Sequence, residues 1–325
     1  MVIRRRNVGC DYPPAPAGDR RRLGECNRER QATPLLKRLG PVRSAPLSVL
    51  LLSAVPVPVS PFTGLEALLG APPLLPAQTL QHWLLALALH GLLISAAQRF
   101  PLLTRSGWVH AGVLGTLLWG ALGWRGWLAV VGYLVLGSLV TRLGFRQKQQ
   151  QGLAEARGGR RGPENVWGSA ATGAVLALLT TVPGAPVPLL LLGFGASFVA
   201  KLADTCGSEI GKRWGRHTVL ITSLRPVPAG TEGAVSLEGT GASLVGSAVM
   251  VLVLKLLGLL GSPPALLLVL LVGVLATLLE SWIGATLQAR LAWLTNELVN
   301  GIQTLLAALI AMGLAWGAVA LGLAA

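Results

Sequence analysis

Twelve residues at the end of an apolar run, "KLADTCGSEIGK" (201–212), contain two lysines, an aspartate and a glutamate. The fourteen residues before them, "VPLLLLGFGASFVA", are uncharged. Continued as one helix at roughly 100° per residue, Lys201, Asp204, Thr205, Ser208, Glu209 and Lys212 fall within an arc of about 140°. Ala200, Ala203, Gly207 and Gly211 gather on the other side, a stripe of small residues that lets membrane helices approach closely. Lys201 and Asp204, at i and i+3, could pair as a helix end whose charges reach back to water. The whole face asks for more, because charge at this depth is costly and marks a site. Carboxylate oxygens suit Mg²⁺, and ammonium groups neutralise phosphate oxygens.

The segment that follows, "LITSLRPVPAGTEGAVSLEGTGASLVG" (220–246), joins Gly230, Gly233, Gly239 and Gly241 to Thr231, Ser236 and Thr240. It is rich in backbone and hydroxyl donors and leads into a helix, whose N-terminus favours anions. Beside the charged face it suggests a cradle for phosphate and metal, with Arg225 as a further cation. "GSEIGK" is not a Walker loop: three residues separate its glycines where four are required, and Arg213 follows the lysine where Ser or Thr should stand. Two more polar sets recur at helical spacing: Glu280, Gly284 and Gln288 in "ESWIGATLQ", and Asn296, Asn300 and Gln303 or Thr304 in "TNELVNGIQT". Such Asn and Gln also serve to bond neighbouring helices. "GRRGPENVWGSAATG" adds Arg160, Arg161, Glu164 and Asn165.

These groups must be held by membrane helices. Charged residues make up 12% of the 325, hydrophobic residues 52%, and the mean hydropathy is +0.62, against about 25% charged residues in soluble domains. The fold expected is all-α, a polytopic bundle of seven to eight transmembrane helices, with spans near 80–98, 107–123, 126–143, 166–182, 186–203, 240–260, 264–284 and 300–322. The alternation of a membrane β-barrel is absent. Two spans separate each of the polar loops 144–165, 204–239 and 285–299 from the next, so all three share one side. Their Lys and Arg make that side, and the active face, cytoplasmic. The count leaves residue 80 on the other side.

Residues 1–75 are expected to form a disordered basic tail, and 76–325 the transmembrane domain. Residues 1–45 contain 11 Lys/Arg and 4 Asp/Glu, half of the net charge of +14. Without interleaved aromatics or a binding fold, this tail does not suggest nucleic acid. Attraction to anionic lipid, targeting or an over-extended start accounts for it equally. The Pro-broken apolar stretch 46–62 must also cross if the tail lies on the cytoplasmic side. Three cysteines and four scattered histidines give neither a disulfide framework nor a zinc site.

"ADTCGSEIGK", "VPAGTEGAVSLEGTGASLVG", "ENVWGSAATG", "ESWIGATLQ" and "TNELVNGIQ", with "LTRSGWVHAGVLGTLLWG" upstream, resemble the motifs of the integral-membrane family that includes transmembrane protein 19 and phytyl-phosphate kinase. The resemblance covers about 85–323. "DTCGSEIG" followed by "GTEGAVS" is also distantly similar to the dolichol and phytol kinases. Cys206, Gly207 and Glu280 depart from the family pattern, Glu280 standing where Asp is usual. The resemblance implies transfer of a phosphoryl group from a nucleoside triphosphate to phytyl phosphate, giving the diphosphate in phytol salvage toward tocopherol and phylloquinone, with Mg²⁺. A lipid-phosphate transporter or flippase is the alternative, although no internal repeat supports it. On the kinase reading, Asp204, Glu209 and Lys212 form the catalytic set and Asp204, Glu209 and Glu280 hold the metal. Lys201, Ser208, Arg225, Thr231, Gly233 and Ser236, with Asn165, Asn296 and Asn300, bind nucleotide and phosphate. The other partners expected are the isoprenoid-phosphate lipid and the membrane.

Overall fold

The computed structural model describes residues 62–288 and 290–323. Among these, nine α-helices follow in order: α1 (Thr63–Leu69), α2 (Leu80–Ala97), α3 (Arg105–Arg142), α4 (Phe145–Gln150), α5 (Pro163–Leu179), α6 (Val187–Trp214), α7 (Leu237–Leu256), α8 (Pro263–Ile283) and α9 (Asn296–Ala320). A short hairpin, β1 (Thr218–Leu220) and β2 (Ala234–Ser236), is paired antiparallel with Val219 opposite Val235. Six helices are long and apolar enough to cross a bilayer. The chain is a polytopic helical membrane protein.

The 38 residues of α3 are not one straight rod. Gly123, at φ 67° and ψ −160°, breaks the helix, and only a residue without Cβ takes that conformation cheaply. Arg142 Nη2 then donates to the Pro101 carbonyl at 3.2 Å, which returns the end of the second arm to the start of the first. The arms, about 18 residues each, are therefore two antiparallel spans near the required length. With α5, slightly shorter, the membrane-length segments match the eight expected.

The same contacts fix sidedness. Arg161 pairs with the chain just before α3, so the loop before α5 lies at the α3 start. Alternation of the later helices brings the β-hairpin segment and the α8–α9 connection to that end, as the loop count predicts. His82 Nε2 lies 3.2 Å from the Trp119 carbonyl, which puts the start of α2 at the opposite end. Residues 1–61 of the expected tail, and all but Phe62 of the stretch 46–62, lie outside the described residues. Part of the remainder corrects the expectation of disorder: Thr63–Leu69 is helical. Leu65 and Leu69, one turn apart, are buried there, and Ser262 Oγ donates to the Leu68 carbonyl at 2.8 Å.

Helix α6 is the axis of the bundle, in contact with α3, α5, α7, α8 and α9. At 1.5 Å per residue its 28 residues run about 42 Å, beyond the roughly 30 Å of hydrocarbon. Gly207 and Gly211 of the stripe expected to pack do so against α7. A Cβ on Gly207 would collide with Ser243 Oγ, and one on Gly239 would come within 2.9 Å of the Gly207 carbonyl. Gly207→Leu is accordingly expected to force the helices apart and cost about 1–3 kcal/mol or more, read as a lowered thermal transition in detergent. An unchanged transition would show that this approach is not tight.

Candidate functional site

A polar cavity of about 400 Å³ opens into the end of the bundle where the three loops meet. Its inner wall is the polar face of α6. Lys201 Nζ donates to Asp204 Oδ2 at 2.5 Å and to Asn300 Oδ1 of α9 at 2.8 Å, and Lys201, Asp204 and Asn300 are all buried. The loop before α5 forms one side. Arg157 bonds Glu164 and, at 3.1 Å, Asn165 Oδ1, while Asn165 Nδ2 donates to Glu297 Oε1 at 3.1 Å. Arg161 Nη1 donates to the Tyr133 hydroxyl at 2.7 Å, which donates to Ser169 Oγ at 3.1 Å. The segment 229–236 and the end of α8, with Glu280, close the remaining side.

The model of the integral membrane protein family DUF92 matches residues 88–308, over half of the sequence. The chain belongs to the DUF92 integral membrane family. It is 50% identical over 235 residues to an uncharacterized membrane protein of Synechocystis sp., an alignment covering 71% of this chain and 91% of that one. To the protein VTE6, chloroplastic, of Arabidopsis thaliana it is 45% identical over 215 residues, 65% of this chain and 64% of that one. An uncharacterized membrane protein of Methanocaldococcus jannaschii is 28% identical over 208 residues, 64% of this chain and 84% of its own. No solved structure gives a significant match.

Of the residues given a catalytic, binding or metal role, all except Arg225 line this DUF92 cavity; Glu164, Gly241, Gly284, Gln288, Gln303 and Thr304 of the wider polar sets do not. Arg225 is exposed on the connection between the two strands, where its carbonyl accepts from Leu220 N at 2.9 Å; the turn carries it away from the other cations. Arg157, Arg160 and Arg161 stand around the cavity instead. Other candidates touch it while already engaged. Ser236 Oγ caps α7, accepting from Gly239 N at 3.1 Å, and Thr231 Oγ1 donates to the Pro228 carbonyl at 2.8 Å. Asn165 also accepts from Gly162 N at 2.9 Å, fixing the start of α5. Gly233, at φ +75°, has no room for a Cβ, which would lie 2.5 Å from the Ser281 carbonyl. Its part is to let the loop close on α8 beside Glu280.

The expected metal set is not gathered as drawn. Among the described residues no three His, Cys, Asp or Glu groups are placed to hold an ion. Glu209 Oε2 is bonded to Lys148 of α4 in a pair almost without exposure, and its Oε1 lies 4.0 Å from Lys212, which also faces Glu155 at 3.5 Å. Lys148 is the residue least legible in the sequence, because nothing in "RQKQQ" separates it from its solvated neighbours. With Lys148, which holds Glu209 from behind the lining, six cations (Lys148, Arg157, Arg160, Arg161, Lys201, Lys212) balance six carboxylates (Glu155, Asp204, Glu209, Glu232, Glu280, Glu297) around the cavity. Asp204 and Glu232 lie within electrostatic reach of Glu280. Asp204 and Glu280, near enough to act on each other, suit a divalent cation arriving with a phosphorylated ligand, since Mg²⁺ commonly takes only one or two protein carboxylates. Glu164, ahead of the apolar part of α5, has its carboxyl held below the usual range, first by its own backbone N–H and then by Arg157.

Proposed function

We propose that this DUF92 protein is an isoprenoid-phosphate kinase, transferring a phosphoryl group from a nucleoside triphosphate to phytyl phosphate to give phytyl diphosphate. The observation that carries the reading is the polar, two-signed cavity sunk into one end of an otherwise apolar bundle. A lipid phosphate brings its chain through the bilayer and its head group to that end, and a nucleotide reaches the same end from water. The similarity to the Arabidopsis chloroplastic protein and the resemblance to the phytyl-phosphate kinase family support it.

Phosphoryl transfer needs positioning and charge neutralisation more than covalent help. Arg157, Arg160 and Lys212, near the mouth, would bind the nucleotide phosphates. Lys201, fixed by Asp204 and Asn300, would place positive charge at the inner end. Asp204 and Glu280 would hold Mg²⁺, which when bound supplies neutralisation of the transferring phosphoryl group. Burial of these groups keeps water from competing with the acceptor. The loops and helix ends on the cavity side contain Arg142, Arg146, Arg157, Arg160, Arg161, Arg213 and Arg216, and the positive-inside bias makes that end cytoplasmic.

The test is purified protein in detergent with Mg²⁺, phytyl phosphate and each nucleoside triphosphate in turn, following label from the γ-phosphate into lipid. Labelled diphosphate is expected with at least one nucleotide. Folded protein that transfers no label but moves phytyl phosphate across vesicles would replace the kinase with a transporter.

A further inference from the structure

A second cavity, apolar and of about 120 Å³, lies between α2, the two arms of α3 and the start of α5. Ile94, Ala97, Leu103, Ala111 and Leu134 are among its walls. Leu93, another wall residue, is exposed on α2, a helix that leaves most of its apolar surface to the surroundings. This cavity shares a wall with the polar one: Tyr133, Arg161, Asn165 and Ser169 line both.

A cation is fixed at the boundary between them. The Arg161 backbone accepts from Thr104 N at 3.0 Å and donates to the Leu102 carbonyl at 3.1 Å. Its guanidinium lies over the Tyr133 ring, 5.1 Å from the centroid, while Nη1 bonds the hydroxyl. A guanidinium that is always charged therefore stands at the point where apolar lining gives way to polar. An amphiphile with an anionic head and a hydrocarbon chain matches that sequence of surfaces.

We infer that the apolar cavity between α2, α3 and α5 holds the first part of the acceptor's prenyl chain, and that Arg161 binds the phosphate joined to it. The inference rests on the kinase reading for the identity of the acceptor. Geometrically, the acceptor phosphate comes from the α3–α5 side and faces the nucleotide phosphates across the polar cavity. Arg161 is thereby a specificity-determining contact, distinct from the rim residues Arg157 and Lys212 that meet the nucleotide.

The experiment uses the full chain in nanodiscs and a C20 prenyl monophosphate with a diazirine close to the phosphate end of its chain. Photolabelled peptides are expected from α2, α3 and α5. Ala111→Phe, at a half-buried wall position, is expected to cut that labelling and raise KM for the C20 acceptor about tenfold, the effect of excluding about two buried methylenes. Nucleotide binding by Ala111→Phe, measured separately, shows that it is folded. Val245→Phe, on the exposed face of α7, is expected to change neither labelling nor KM. Labelling confined to α7, α8 or α9 with phosphoryl transfer intact would overturn the inference and leave the kinase standing. Labelling at α2, α3 and α5 without phosphoryl transfer from any nucleotide would keep the lipid site and overturn the kinase.

Discussion

Asp204→Asn is expected to abolish most phosphoryl transfer, lowering turnover about 10²–10³-fold, the usual loss when a preorganised electrostatic contact to the reacting group is removed. The substitution is isosteric and keeps an oxygen for Lys201, which also retains the Asn300 oxygen at 2.8 Å. The bundle should still assemble, but with a cost. Removing one partner of a buried pair takes about 3–5 kcal/mol where nothing compensates, and the Asn300 bond keeps the loss below that. Size-exclusion profile and helical content should stay at wild-type values while the thermal transition falls. The decisive reading is the dependence on Mg²⁺: Asp204→Asn should bind the nucleotide without Mg²⁺ as well as wild type does, and lose the gain that Mg²⁺ gives. Turnover within threefold of wild type would remove Asp204 from the chemistry and leave it as a structural partner of Lys201.

The helical bundle and the face of α6 were legible because both depend on local periodicity. Eight apolar stretches of bilayer length admit few arrangements, and alternation alone sends 144–165, 204–239 and 285–299 to one end. Asp204 and Glu280 were legible as charges at the ends of apolar runs, and Asn300 as an amide at helical spacing that suits a site or a bond to a neighbouring helix equally. The two arms of α3 were separable because "WGALGWRGW" places glycine among interfacial tryptophans. What depended on long-range pairing was hidden. Arg225 looked like a further cation for the phosphate cradle, and only the turn between β1 and β2 sends it outward. Thr63–Leu69 looked like part of a tail because seven residues are too few to show a period; its two buried leucines matter only once α9 and the α7–α8 turn are beside them. Glu209 looked like a metal ligand because its partner, Lys148, is 61 residues away in a short polar helix with no pattern of its own.

That pair carries the second large effect. Lys148 has no exposed surface and donates to the Thr141 carbonyl at 2.8 Å as well as to Glu209. Its own carbonyl accepts from Leu153 N at 2.8 Å, which ties the following turn to the same anchor. The chain from 153 onward supplies Glu155, Arg157, Arg160 and Arg161 to the cavity, so the pair latches that loop to α6. Lys148→Met leaves a buried carboxylate with only Lys212, 4.0 Å away, and Glu209→Met a buried ammonium with only the Thr141 carbonyl; the second is expected to cost about 3–5 kcal/mol and the first less. Each single variant should also weaken nucleotide binding, because the rim cations lose their support. The double variant removes both charges and fills the space, and such replacements are commonly neutral. It should regain most of the thermal stability and bring nucleotide affinity to within about tenfold of wild type, or about 1.4 kcal/mol. A double variant no more stable than the worse single one would show that the two charges do not act as a pair. A double variant that is stable and binds nucleotide but does not turn over would return Glu209 to the chemistry, with Lys148 as the group that holds its carboxylate in place.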